Sequence, residues 1–137
     1  MVMSRGEPKG ADYTQTILIV DSDRQIGDLL TGLLESEGFK VSQVSSGEAA
    51  LSFGEQTLPL DLVLVADTLP DMDGLVVCRH LVNCVEDLPV FLLTDHPADH
   101  TLIDQLFEAG GIDTLSKPIH PTLLLQRVKQ AFDVTPQ

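Results

Sequence analysis

A chain of 137 residues suits one domain with a proper hydrophobic core, and 43% hydrophobic residues place it among globular chains and not disordered ones. No apolar run nears the ~20 residues that span a bilayer, and the opening MVMSRGEPKGADYTQ lacks the apolar stretch of a signal peptide, so a soluble, cytoplasmic protein is expected. The net charge of −13 repels phosphate backbones and argues against direct nucleic-acid binding; it suits a basic partner surface, or simply keeps the chain soluble.

Residues 1–14 are polar, with Gly6, Pro8 and Gly10, and are expected to form a flexible tail before a domain over 15–133, with 134–137 as a short C-terminal tail. TILIVD (16–21) is a β-branched apolar run too short for a helix and is expected as a buried strand. Ile26, Leu29, Leu30, Leu33 and Leu34 then recur on one helical face, with Ser22 or Asp23 as cap and Gly38 as stop. FKVSQV (39–44) alternates as a second strand, and Ser46-Gly47-Glu48 opens a short helix to about Phe53. LDLVLVA (60–66) is the third strand. After the turn residues Pro70, Asp73 and Gly74, LVVCRHLV (75–82) continues as a helix. PVFLLT (89–94) is the fourth strand. Pro97 suits the first turn of a helix over 97–109 that buries Leu102, Ile103, Leu106 and Phe107 and ends at Gly110-Gly111. IDTLS (112–116) is a weaker fifth strand, broken by Lys117-Pro118, and a helix over 120–132 closes the domain.

Strand and helix therefore alternate five times. Apolar strands without strict alternation imply burial on both faces, hence a parallel sheet covered by helices in an open, doubly wound, three-layer α/β/α domain. Such sheets present functional groups at the carboxyl ends of their strands. Those ends carry Asp21, Ser22 and Asp23, then Ala66 and Asp67, then Thr94, then Lys117. A carboxylate, a hydroxyl and an ammonium converging from different strands suggest a site for a phosphoryl group: the acid for a cation, the hydroxyl and the lysine for phosphoryl oxygens.

At these residues the chain resembles the receiver domain of two-component response regulators. The resemblance covers about residues 16–132. It is carried by ILIVD (17–21), DLVLVADTLPDMDG (61–74), VFLLT (90–94) and EAGG (108–111) followed by LSKPI (115–119). It implies a flavodoxin-like strand order, 2-1-3-4-5, a role in phosphorelay signal transduction, and no enzymatic activity. It also implies a cis Lys117–Pro118 peptide and a contact face for a signalling partner or a second copy, built by the 97–109 helix, the 112–116 strand and the 120–132 helix. In the family the phosphorylated aspartate lies four residues before the loop proline; counting back from Pro70 reaches Ala66. Of the two adjacent acids that hold Mg²⁺, Asp21 is retained and the second position is Ser22. The hydroxyl and lysine positions are Thr94 and Lys117, and the aromatic switch position is Thr114.

The substitutions have direct chemical consequences. Alanine has no oxygen to attack phosphorus, and a single carboxylate makes a weak Mg²⁺ site, so no cofactor is expected. Two carboxylates ~4 Å apart repel by roughly 4 kcal/mol at an effective dielectric near 20. Losing them lets Lys117 pair with Asp21 without a metal, which would hold the pocket in one state. The expectation is a pseudo-receiver that acts by protein contact. One alternative moves the phosphoacceptor to Asp67, which, as the strand neighbour of Ala66, is expected to face away. Another is a haloacid-dehalogenase-like phosphatase using Asp21 and Asp23 from ILIVDSD (17–23), although no late pair of acids follows the lysine. His96 and His100 have the spacing of a helical metal pair but lack an obvious third ligand and are read as surface residues. His80 and His120 stand alone. Cys78 and Cys84 fall on roughly opposite helical faces and are read as free thiols.

Overall fold

The computed structural model describes residues 14–56 and 59–133, so the expected tail at 134–137, and all but the last residue of the one expected at 1–14, lie outside the described residues. Five strands, β1 (Thr16–Val20), β2 (Lys40–Val44), β3 (Leu62–Ala66), β4 (Val90–Thr94) and β5 (Asp113–Ser116), form one sheet. All neighbours are parallel, in the order β2-β1-β3-β4-β5. The helices are α1 (Arg24–Ser36), α2 (Gly47–Glu55), α3 (Gly74–Cys84), α4 (His100–Glu108) and α5 (Pro121–Asp133).

The continuous apolar runs of β1, β3 and β4 follow from their central place, where every residue of all three strands is buried. Successive side chains serve opposite layers. Leu18, Val20, Val63, Val65 and Leu92 pack with Ala50 of α2, Val77 and Leu81 of α3 and Leu106 of α4. Ile17, Ile19, Leu62, Leu64, Phe91 and Leu93 pack with Leu30 and Leu34 of α1 and Leu124 and Val128 of α5. A fully buried leucine of this kind contributes about 2 kcal/mol relative to exposure.

The starts of α1, α2, α3 and α4 are set by aspartate and serine caps. Asp23 caps α1, accepting from the backbone N–H groups of Gln25 and Ile26 at 3.0 and 3.3 Å. Gly38, at φ +92°, turns the chain out of α1 as its sequence position suggested. The start of α4 differs most from expectation. The helix placed at 97–109 begins only at His100, because Asp99 caps it through the N–H of Leu102 at 2.9 Å; His96 and Pro97 stay in the preceding loop. Phe107 is the second difference. It is 57% exposed, since Leu106 and Ala109 already face the sheet and each residue step turns the helix by about 100°. The last helix runs over Pro121–Asp133, one residue displaced from the expected 120–132.

β1 pairs with both β2 and β3, so the winding direction reverses there. The carboxyl ends of β1, β3, β4 and β5 therefore open on one side, which is where such folds build their sites.

Candidate functional site

β1 delivers Asp21, whose residue is 7% exposed. Its backbone N–H bonds to the Val44 carbonyl at 3.1 Å, fixing its position over the edge of the sheet. Its two oxygens have different partners. Oδ1 accepts the N–H of Asp23 at 2.9 Å. Oδ2 lies 2.7 Å from the Lys117 ammonium, a charge contact without hydrogen-bond alignment to any donor. Lys117 follows β5, and its own N–H bonds to the Thr94 carbonyl at 2.7 Å. The Lys117–Pro118 peptide is cis, as the resemblance implied. This pair is largely desolvated, with 3% of the Asp21 side chain and 15% of the Lys117 side chain exposed.

β3 ends in Ala66, which is 2% exposed. The loop that follows is tightly held. Asp67 N–H bonds to the Leu93 carbonyl and Gly74 N–H to the Asp67 carbonyl, both at 2.9 Å. A Cβ on Gly74 would stand 2.0 Å from the Ala66 carbonyl oxygen, so only glycine permits this approach of backbone to backbone. Asp71 then reaches across to the start of α2 and accepts the N–H groups of Gly47 and Glu48 at 2.8 and 2.9 Å. Those two bonds hold its carboxyl below its ordinary range.

The remaining pocket positions are arranged less as expected. The Thr94 hydroxyl donates to the carbonyl of His96 at 2.6 Å and lies 3.4 Å from the Ser116 hydroxyl. It is thus engaged with the turn after β4. Ser22 is exposed, and Thr114 is half-buried on β5. Asp67 makes no hydrogen bond or ion pair with Asp21, Thr94 or Lys117. It is nevertheless not isolated from the pocket. Partial burial raises its carboxyl above the ordinary value of 3.8, and the Asp95 carboxylate raises it further, while the Thr68 N–H and then the Lys117 ammonium pull it back.

Three acids escaped the sequence reading. Asp95 sits with Oδ1 3.9 Å from the Lys117 ammonium; its place directly after Thr94, at a strand end, was the available signal. Asp71 caps a helix distant in sequence, which no local pattern announces. Asp61, before β3, is 5% exposed and accepts the Thr16 N–H at 2.8 Å, joining the amino ends of two strands. The cysteines behave as read: Cys78 is buried, its thiol pushed up to about 11 by desolvation, and Cys84 is exposed. His96 and His100 are divided between loop and helix, and no cluster of three metal-ligating side chains occurs among the described residues. No helix among them is long and apolar enough to cross a membrane.

The likenesses to known proteins agree with this geometry. Residues 17–129 match the family described as the response regulator receiver domain. The chain is 35% identical over 117 residues to the DNA-binding response regulator MtrA of Mycobacterium tuberculosis, covering 84% of this chain and 49% of that protein. It is also 35% identical over 120 residues to the transcriptional regulatory protein BaeR of Escherichia coli, covering 86% and 48%. The chain thus spans about half the length of these relatives. Among solved structures, a CheY-like response regulator receiver domain protein from Methanospirillum hungatei superposes with a TM-score of 0.83 at 27% identity, covering 88% of this chain and 95% of that one. The signal receiver domain of an HD domain-containing protein from Pseudomonas fluorescens gives 0.81 at 30% identity, covering 88% and 96%.

Proposed function

The chain belongs to the response regulator receiver family, and from that premise we propose that it is a pseudo-receiver, signalling by protein contact without phosphorylation of an aspartate. The observation that carries this reading is the 2.7 Å pair between Lys117 and Asp21 beside a strand end that offers only the methyl group of Ala66. A phosphoacceptor needs a carboxylate oxygen there. The lysine that would answer phosphoryl charge already has its counter-ion.

The donor set also fits Mg²⁺ poorly. The ion demands near-octahedral oxygen ligands. Asp21 commits one oxygen to the Asp23 N–H and the other to Lys117, and Ser22 and Ala66 contribute no carboxylate. The dehalogenase-like alternative meets a similar obstacle, because Asp23 is occupied in capping α1. The contact surface proposed for a signalling partner or a second copy is the face of α4, β5 and α5. Phe107, Ile112 and Leu123 are 57%, 43% and 39% exposed there, and Arg127 pairs with Asp113 beside them.

Incubation with a small acyl-phosphate donor and Mg²⁺, followed by intact mass and peptide mapping, tests the reading. An unchanged mass is expected. A gain of one phosphoryl group on Asp67 would replace this reading with that of a receiver whose acceptor has moved by one residue.

A further inference from the structure

The net charge of −13 is not spread evenly over the molecule. Residues 41–112, which hold α2, α3 and α4, carry twelve acids and one basic residue, Arg79. Residues 14–40 and 113–133, which hold α1 and α5, carry seven acids and five basic residues. The two groups of helices cover opposite faces of the sheet, so nearly all the excess lies on one layer. Ion pairing sharpens the difference. Among the described residues every ion pair takes its cation from the second group: Lys117 with Asp21 and Asp95, Arg127 with Asp113, and Lys129 with Glu37. Glu48 and Glu55 on α2, and Asp104 and Glu108 on α4, are exposed and join none of these pairs. α3 runs between the two acidic helices, packed against both, and carries no acid itself. Its outward ridge is Val76, Arg79 and Asn83, at i, i+3 and i+7, opposite the buried Val77, Cys78 and Leu81. Val76 is 49% exposed. The layer thus has an acid-free centre with an apolar residue on it and carboxylates to either side, the anatomy of an interface core and its charged rim.

We propose that this layer docks a basic amphipathic helix of a partner protein, its apolar side over Val76 and its lysines and arginines toward α2 and α4. Charge selects the occupant. Nucleic acid and anionic membrane are repelled by these carboxylates, whereas a basic helix is steered onto them. About three turns of such a helix cover α3, whose eleven residues run ~16 Å. The face is distinct from that of α4, β5 and α5 and shares only α4 with it. Arg79, the one basic residue of the layer, opposes the docking that its neighbours favour. That gives the proposal a sign that net charge alone does not fix to a place.

The test titrates a synthetic helix of lysine, leucine and alanine, about four turns long, into the full ¹⁵N-labelled chain at ~0.15 M salt. Saturable amide shifts are expected along α3 and the adjoining turns of α2 and α4, with those of α1 and α5 unmoved. The combined variant Glu48→Gln, Glu55→Gln, Asp104→Asn, Glu108→Gln should weaken binding about tenfold. A matched variant, Asp28→Asn, Glu35→Gln, Glu37→Gln, Asp133→Asn, removes as much charge from the other layer and should weaken it less than about twofold. Val76→Ser should weaken it about threefold, and Arg79→Gln should tighten it about twofold. Equal losses for the two combined variants would show net charge acting without a face and would overturn the proposal. So would weakening by Arg79→Gln, shifts centred on β5 and α5, or shifts that never saturate. None of these readings uses Mg²⁺ or a phosphodonor, so they stand or fall apart from the pseudo-receiver reading.

Discussion

Two aspartates lie buried at opposite ends of the sheet, and the strand ends around them differ. Asp61, at the amino end, is 5% exposed and accepts a backbone N–H from Thr16. Asp21, at the carboxyl end, is 7% exposed and faces an ammonium. The first ties the amino ends of two strands together. The second sits at the carboxyl ends of the strands, paired with Lys117, which also lies 3.9 Å from Asp95. Burial of a carboxylate alone therefore does not mark a site; its place at the carboxyl ends of the strands does.

This contrast can be broken from either end. The largest effect is expected from Lys117→Met, which leaves Asp21 buried without a counter-charge and should cost about 3 kcal/mol in denaturant unfolding. Adding Asp21→Asn should recover most of that loss, because the stranded charge is then gone. If the double variant is as unstable as the single, the pair is not the reason Asp21 tolerates burial. At the other end, Asp61→Ala strands the Thr16 N–H and should cost about 2 kcal/mol. That loss should simply add to the loss from Lys117→Met, since the two sites lie at opposite ends of the sheet. Gly74→Ala sharpens the comparison at the loop. A Cβ against the Ala66 carbonyl should cost about 2 kcal/mol and shift the amide signals of 66–74, while leaving those around Asp61 in place.

The smallest expected effect concerns pH. Asp71 is fully exposed, and its carboxyl is lowered by the amides of Glu48 and Gly47. A lowered folded value means that its contribution is complete above the ordinary 3.8 and is lost as pH falls through the folded value. Asp71→Asn should therefore lower stability slightly at neutral pH and reduce its dependence on pH below about 4. An unchanged acid limb in that variant would show that the bridge from the loop to α2 carries no weight.

Much of this organisation was legible in the sequence because it is written in local periods. The unbroken apolar runs at 17–20, 62–66 and 90–94 announced central parallel strands, and each is buried throughout. The i, i+3, i+4 stripe after Ile26 announced α1. Pro97 misled because proline tolerates a first helical turn without requiring one; the cap two residues later decided the start of α4. Phe107 misled because periodicity tells which face is apolar but not how far the sheet extends beneath it. The strand-end residues Asp21, Ala66, Thr94 and Lys117 were readable as a set because topology brings such ends together. Their actual partners were not readable. The turn of the Thr94 hydroxyl to His96, the approach of Asp95 to Lys117 and the reach of Asp71 to α2 are tertiary contacts that no spacing encodes.

The central claim, a pocket that no longer takes up metal and phosphoryl group, is tested most directly by titrating Mg²⁺ with beryllofluoride into the ¹⁵N-labelled chain and following its amide signals. The Ser22→Asp, Ala66→Asp double variant, which restores both missing carboxylates, runs beside it. The account predicts that the unaltered chain stays essentially unshifted while the double variant shows saturable changes around residues 21, 66, 94 and 117. Saturable changes of the same kind in the unaltered chain, centred on Asp21, Asp67 and Lys117, would contradict it.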